Sequence, residues 1–266
     1  MIQDFTEEFD NQYKPLKPSA DDIAVCFDGP NILASLTDGK IKYPYVSEIE
    51  RIGHFLFSID GKNYFLGTAS AFGEYEYMHY TVLRTAVPRT LAFAGATAFQ
   101  LNNWYNDNKF CGHCGKHMHH SETQRAMLCS CGNIVYPKIS PAVIVAIISN
   151  NKLCLTKYNR PDARWSLVAG FAEIGETIEQ TVHREVMEET SLKVKNLQYY
   201  KSQPWGFTST MLYGFFCEVD GDESITIDNY ELKDGRWFSP DEIDFDNDGL
   251  SLTREMIDKF KRNDFS

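Results

Sequence analysis

The chain has 266 residues, 43% of them hydrophobic and 24% charged, a globular composition that excludes an intrinsically disordered protein and suits one large or two small domains. A formal net charge of −11 disfavours non-specific binding to nucleic-acid backbones, although it allows a site for one small anionic substrate. Because there is no apolar run of the ~20 residues that span a membrane and no secretory pattern at the N-terminus, we expect a cytoplasmic protein with no membrane partner.

Residues 1–108 are predicted to form a small α+β domain. Asp-Gly pairs at positions 28–29, 38–39 and 60–61 separate apolar or alternating runs, which predicts hairpin turns in a meander of short strands over 23–67. Residues 89–107 are rich in Ala, Leu and Phe and are predicted to form a helix. This segment by itself indicates no chemistry.

Residues 109–139 are predicted to form a zinc ribbon, because four of the seven cysteines of the chain cluster there. They fall as Cys111-x2-Cys114 and, fourteen residues later, Cys129-x-Cys131. Zinc prefers four soft ligands in a tetrahedron, and two short turns can each supply a pair. A site closed by four protein ligands would be structural, since it leaves no position for water.

Two alternatives to this zinc site stay open. The second cysteine pair is one residue shorter than the usual spacing, so neighbouring histidines are candidates to replace Cys131: His113, His117, His119 and His120. The thiols can also be unligated. A ribbon that reads nucleic acid is disfavoured, because the region contains few Lys and Arg residues.

Residues 140–266 are predicted to form the main domain. The β-branched apolar run from Ala142 to Ile148 is typical of a strand buried on both faces. Further strands are predicted near 153–155, 197–201 and 211–219, and helices over 177–190 and 251–262. The segment 202–210 between two of these strands is predicted to be a loop.

The helix predicted over 177–190 carries a cluster of carboxylates. Thr177 and Gln180 have capping-box spacing, which predicts where the helix starts. Helical geometry places Glu189 inside the apolar stripe formed by Ile178, Val182 and Val186, with Glu185 beside it and Glu188 just beyond. Unpaired carboxylates in such a position repel one another and are costly to bury, so the pattern indicates bound divalent cations, with Arg184 pairing one carboxylate. The alternative, a solvated acidic face, conflicts with an acid inside an apolar stripe.

From Gly170 to Leu192 the sequence resembles the Nudix box, G-x5-E-x7-R-E-U-x-E-E-x-G-U, where U is aliphatic. The one departure is Ser191 in place of the last glycine, which is expected to cost about 1 kcal/mol or to shift the turn that ends the helix. The resemblance implies an α/β/α sandwich with a mixed sheet, within a chain of α+β class. It also implies Mg²⁺ or Mn²⁺ held by the Ala169 carbonyl and by Glu185, Glu189 and Glu231.

The segment Ser202–Thr210 resembles the S-Q-P-W-P-F-P-x-S signature of the NADH pyrophosphatase subfamily, with departures at Gly206, Thr208 and Thr210. The order of a small domain, a zinc ribbon and a Nudix domain is similar to that subfamily too. The resemblance implies a base-stacking pair, Phe171 and Tyr136, with Tyr136 supplied by a second subunit of a homodimer. It implies further substrate contacts from Thr253 and from Gln203, Pro204, Trp205, Gly206, Phe207, Thr208, Ser209 and Thr210. Arg84 and Gln124 are weaker candidates.

The implied activity is hydrolysis of NADH or NAD⁺ to nicotinamide mononucleotide and AMP, and related proteins also remove NAD caps from RNA 5′ ends. In such a reaction the metals make a bound water more acidic, so that hydroxide attacks one phosphorus in line, and a box glutamate (185, 188 or 189) serves as base. Two alternatives remain. One is a Nudix hydrolase of ADP-ribose or another nucleoside diphosphate derivative. The other is a non-enzymatic nucleotide sensor, which the intact glutamates disfavour.

Overall fold

The structure is a computed structural model that describes residues 1–245 and 247–264, and it divides into two compact units. The first unit contains residues 2–138 together with 206–209. The second contains Met1, residues 139–205 and the chain from 210 onward. The cysteine-rich segment 109–138 is therefore part of the first compact unit.

The first unit consists mainly of short strands and one long helix. Its elements are β1 (Phe9–Asp10), β2 (Ile23–Asp28), β3 (Asn31–Thr37), β4 (Lys40–Lys42), β5 (Arg51–Ile59), β6 (Lys62–Thr68), β7 (Glu76–His79), α1 (Arg89–Asp107), β8 (His119–His120), β9 (Met127–Leu128) and β10 (Ile134–Val135). The predicted helix over 89–107 is confirmed, and so are the three Asp-Gly turns, which join β2 to β3, β3 to β4 and β5 to β6.

The predicted meander over 23–67 is wrong. The strand order is β1-β5-β6-β2-β3-β4, with β7 also paired to β3, and β2 runs parallel to β6. Ala24, Val25 and Cys26 of β2 have no exposed surface, so this strand needs a partner on both edges. The β5–β6 hairpin supplies the second partner, a pairing that no local pattern in the sequence specifies.

The second unit contains β11 (Ser140–Ser149), β12 (Lys152–Tyr158), β13 (Val168–Phe171), α2 (Ile178–Thr190), β14 (Val194–Trp205), β15 (Thr210–Val219), β16 (Leu232–Phe238) and α3 (Leu252–Lys261). The sheet has the order β14-β15-β11-β12-β16, with β13 also paired to β11. Because β11 and β15 are parallel and the other pairs are antiparallel, the predicted mixed sheet is confirmed. The predicted loop starts too early, since β14 continues through Trp205.

The core of the second unit has two layers, one on each face of the sheet. Along β11, Val143 and Val145 pack on the side of α2, whereas Ile144 and Ala146 pack on the side of α3. Alternating side chains of the central strand β11 thus pack against a different helix on each face of the sheet, as the predicted α/β/α sandwich requires. None of the helices in the described part of the chain is both long and apolar enough to cross a membrane.

Candidate active site

Helix α2 begins at the predicted capping box, and the predicted carboxylate lies on its apolar face. The Gln180 amide donates to Thr177 Oγ1 at 3.2 Å and the Thr177 amide donates to Gln180 Oε1 at 2.8 Å, which confirms the capping box. Val182 and Val186 have no exposed surface, and Glu189 is 3% exposed in the same stripe. The helix therefore buries a carboxylate on its apolar face.

The helix ends at Ser191, which adopts a left-handed conformation with φ of 59°. Its amide donates to the Met187 carbonyl at 2.9 Å. The serine at the place of the box glycine thus adopts a conformation that favours glycine.

We expect Ser191→Gly to raise the free energy of unfolding by about 1 kcal/mol, because glycine populates this backbone region without a Cβ penalty. Urea denaturation of the two proteins measures the difference. As a control, Ser224→Gly changes an exposed serine outside the left-handed region, and it should not be stabilising. A decrease in stability for Ser191→Gly would contradict the prediction.

The Arg184 guanidinium donates hydrogen bonds to three carboxylates and one backbone carbonyl. Its Nε and Nη2 donate to Glu176 at 2.6 and 2.9 Å, and Nη1 donates to Glu185 at 2.7 Å and to Glu188 at 2.9 Å. Nη2 also donates to the Phe171 carbonyl at 2.8 Å. These bonds lower the pKa of Glu176 to about 2, with the Arg184 bond as the largest cause. Arg184 therefore orients the three carboxylates that it contacts. It also links them to the backbone of Phe171.

Glu189 is the carboxylate that Arg184 does not neutralise. Its Oε2 is buried and has no hydrogen-bond partner among the residues that the structure describes, while the Ala169 backbone supplies a hydrogen bond to the carboxylate. Burial raises the pKa of Glu189 to about 8, and the charges of Glu231 and Glu185 add to the increase. Burial also raises the pKa of Glu185, although Arg184 opposes this effect. A buried, unpaired carboxylate beside two others is the donor set that a hard divalent cation with oxygen ligands fits.

Gly170 allows Glu185 to approach the backbone of β13. A Cβ built on Gly170 would lie 1.9 Å from the Glu185 carboxyl carbon. The observed position of the Glu185 carboxylate therefore leaves no room for a side chain at Gly170, fifteen residues earlier in the chain.

Sequence reasoning missed Tyr158, the last residue of β12. Burial raises the pKa of its phenol, and the charges of Glu189, Glu231 and Glu185 raise it further, so the ring lies within electrostatic reach of all three carboxylates. Nothing in the local sequence marks this tyrosine, because the strand and the helix come together only in the folded sheet.

The predicted substrate residues of the second unit divide into exposed and buried positions. Phe171 is 55% exposed, with its carbonyl held by Arg184. Pro204 and Trp205 pair with Met211 and Thr210 at the end of the β14–β15 hairpin, where Thr210 is buried. Thr253 lies half-buried in the first turn of α3.

The predicted contact of Gln203 with substrate stays a prediction, and the structure gives its side chain a second role. Its side chain has no exposed surface. Its amide nitrogen donates to the Leu250 carbonyl at 2.9 Å, and its oxygen accepts from the Leu252 amide at 2.7 Å. Gln203 therefore satisfies backbone groups at the start of α3 and positions that helix.

The remaining predicted substrate residues belong to the first unit. A Cβ on Gly206 would lie 2.4 Å from the Ala96 carbonyl oxygen of α1, so glycine here permits close packing. Phe207 stacks on Tyr80 with ring centroids 5.8 Å apart, and the Arg84 guanidinium lies 6.0 Å from the Phe207 centroid. Thr208 and Ser209 complete this turn.

Tyr136 is 55% exposed in the first unit, where it lines a cavity of about 300 Å³ with Trp104 and Ser209. Its hydroxyl donates to Gln124 Oε1 at 3.2 Å. Gln124 therefore orients the ring that the family resemblance assigns to base stacking.

The four clustered cysteines converge. Their Sγ atoms all lie within 4.8 Å of one another: Cys111, Cys114, Cys129 and Cys131. The Cys111–Cys131 and Cys114–Cys129 separations are 3.7 and 3.4 Å, too long for a disulfide of about 2.05 Å. They approach the edge of about 3.8 Å that a tetrahedron with metal–sulfur bonds of about 2.3 Å has. Cys131 completes the set, so no histidine is needed to replace it.

Comparison with known proteins agrees with this geometry. The NUDIX domain family model matches residues 138–260. This part of the chain is therefore similar to Nudix domains.

Over 161 residues, 60% of the chain, the sequence is 43% identical to proteins named NAD-capped RNA hydrolase NudC from Salmonella typhi and Salmonella heidelberg. The matched region spans 62% of the length of these relatives. A crystal structure of a Nudix hydrolase from Nitrosomonas europaea matches 58% of this chain and 91% of its own, with 24% identity and a TM-score of 0.49.

Proposed function

We propose that the protein is an NAD(H) diphosphatase that hydrolyses NADH or NAD⁺ to nicotinamide mononucleotide and AMP. The observation that carries the proposal is the buried Oε2 of Glu189, which has no partner within the described part of the chain and feels the charges of Glu185 and Glu231, on a helix that resembles the Nudix box. The relatives named NAD-capped RNA hydrolase support the choice of substrate class. In the reaction, the oxygen of water bonds to one phosphorus and the bridging P–O bond breaks.

Glu185, Glu189, Glu231 and the Ala169 carbonyl would hold Mg²⁺ or Mn²⁺. Such ions would neutralise phosphate charge and make a water molecule more acidic. Arg184 keeps the carboxylates of Glu185 and Glu188 oriented, and one of the three box glutamates accepts the proton from water. Phe171 stacks a base on its exposed ring.

The test is turnover by the purified full chain with Mg²⁺ or Mn²⁺, using NADH, NAD⁺, ADP-ribose and NAD-capped RNA as separate substrates and chromatography to identify products. We expect AMP and nicotinamide mononucleotide from NADH. Comparison of kcat/KM for NADH and capped RNA identifies the preferred form of the substrate. Preference for ADP-ribose would indicate another Nudix hydrolase. Failure to turn over any of the four would favour the nucleotide sensor.

We also propose that the four cysteines bind one structural zinc ion. The distances between the four sulfur atoms support this site, because they approach those expected for ligands at the corners of a tetrahedron around zinc. The segment contains only the two-residue strands β8, β9 and β10. Strands this short contribute little to folding stability, so we expect the bound cation to stabilise the segment.

We expect metal analysis to find about one zinc ion per chain. The Cys129→Ser variant is expected to lose the zinc ion, and its residues 109–138 should become sensitive to protease. Cys26→Ser is the matched control, since Cys26 is a buried cysteine outside the cluster. Zinc retention by Cys129→Ser would contradict the proposed ligand set.

Finally, we propose a homodimer in which Tyr136 of one subunit stacks on the base held by Phe171 of the other. The exposure of both rings, 55% each, supports this pairing. Light scattering of the full chain tests the oligomeric state. A monomer that keeps full activity would reject the shared site.

A further inference from the structure

A second cavity, of about 370 Å³, opens in the Nudix unit on the face of the sheet that α3 covers. Helix α2 and its buried stripe cover the opposite face. The cavity is lined by three cations, two aromatic rings and one carboxylate: Lys157, Arg164, Arg254, Trp165, Phe245 and Asp248. An excess of positive charge in one pocket contrasts with a chain whose net charge is −11.

Arg254 is incompletely satisfied at this pocket. Its Nη1 is buried and has no hydrogen-bond partner among the described residues. The guanidinium carbon lies 4.1 Å from the centroid of the Phe245 ring, which fixes the plane of the group. Burial lowers the pKa of Arg254, Asp248 opposes this effect, and the nearby charge of Arg164 lowers the pKa further. A buried guanidinium N–H without an acceptor is costly, and an anion in the pocket would relieve that cost.

Asp248 does not balance the three cations. Its Oδ1 already accepts hydrogen bonds from the amides of Leu250 and Ser251, at 2.9 and 3.2 Å. The carboxylate therefore serves the turn that precedes α3 as well as facing Arg254, and the pocket keeps two more positive than negative side chains in its lining.

The aromatic wall adds a preference for a ligand with a planar ring. Trp165 is braced by the edge of Phe238, with centroids 4.8 Å apart, and Arg236 lies 4.5 Å from its centroid. Arg236 is itself paired with Asp234 at 2.9 Å, so it contacts the ring without adding net charge to the pocket. Cations next to aromatic rings suit a phosphate joined to a base, since charge and stacking are satisfied together.

We propose that this pocket binds a nucleoside monophosphate unit, with Arg254 and Arg164 at the phosphate and Trp165 and Phe245 beside the base. None of these residues is among the metal or substrate positions that the family resemblance implies. The proposal also does not depend on hydrolysis of a diphosphate. The unit can come from a free mononucleotide or from the chain of a single-stranded RNA, which present the same chemistry.

Calorimetric titration of the full chain with AMP and with a 5′-phosphorylated oligoribonucleotide tests the site. Neither probe contains the diphosphate bond of NADH. No divalent ion is added, so the carboxylates on the α2 side remain unneutralised and disfavour phosphate there. Arg254→Met and Arg164→Gln are each expected to weaken binding by about ten- to a hundredfold. Arg164 is exposed, so its variant does not disturb the core.

The matched control is Arg262→Gln, which removes an exposed arginine paired with Asp258 at the end of α3 and should leave binding unchanged. AMP binding that needs both pocket arginines supports the site with a mononucleotide as ligand. Binding of the oligoribonucleotide alone, with the same dependence, supports it with an RNA chain as ligand. Failure of both probes to bind, no effect of Arg164→Gln, or equal loss in Arg262→Gln overturns the proposal.

Discussion

Replacement of Glu189 by Gln is expected to lower kcat for NADH hydrolysis by about a thousandfold, because several kcal/mol of charge stabilisation are lost with the metal. The amide is nearly the same size as the carboxylate but has no charge. Without added divalent ions the variant should be at least as stable as the wild type, since a buried carboxylate repelled by Glu185 and Glu231 has been removed.

Two measurements separate this effect from misfolding. Addition of Mn²⁺ should raise the melting temperature of the wild type but not that of Glu189→Gln, because only the former binds the ion tightly. Glu179→Gln is the matched control, since Glu179 lies exposed in the first turn of the same helix and should retain activity and the Mn²⁺ response. Full activity of Glu189→Gln would reject the proposed metal site.

Gly170→Ala is expected to reduce kcat by about a hundredfold, because a misplacement of a catalytic group by about 1 Å has effects of this order. The new Cβ would occupy the position of the Glu185 carboxyl group, 1.9 Å from its carbon. The side chain of Glu185 can rotate away, so the protein should remain folded while the carboxylate cluster is disrupted.

Gly112→Ala is the control for the added methyl group, because no atom of residues 1–245 or 247–264 lies within 4 Å of the position its Cβ would take. Circular dichroism and thermal denaturation establish that both variants are folded. Wild-type turnover by Gly170→Ala would show that Glu185 is not needed in the position that the structure gives it.

Several features could be predicted from the sequence because neighbouring residues determine them. The capping box at Thr177, the buried stripe that includes Glu189 and the Asp-Gly turns depend on contacts within a few residues. The cysteine cluster was also predictable, since two short turns present thiols in pairs. Charge and periodicity were therefore sufficient to indicate where a cation is needed.

Only the tertiary structure decided which groups surround that helix. Arg184 could be expected to pair one carboxylate, but its bonds to Glu176, Glu185 and Glu188 depend on how the preceding loop folds back. Gln203 was expected at the substrate, and only the structure shows that its side chain bonds to backbone amide and carbonyl groups nearly fifty residues later. Tyr158 and the Arg254 pocket had no signal in the sequence.

The sequence by itself determined the local chemistry: where α2 starts and ends, which of its carboxylates is buried, and where four thiols can meet. The parallel pairing of β2 with β6 and the clustering of cations beside Trp165 were decided by the folded structure. The physical reason is distance along the chain. Local hydrogen bonds and periodicity act over a few residues, whereas these contacts join segments that only burial of the two cores brings together.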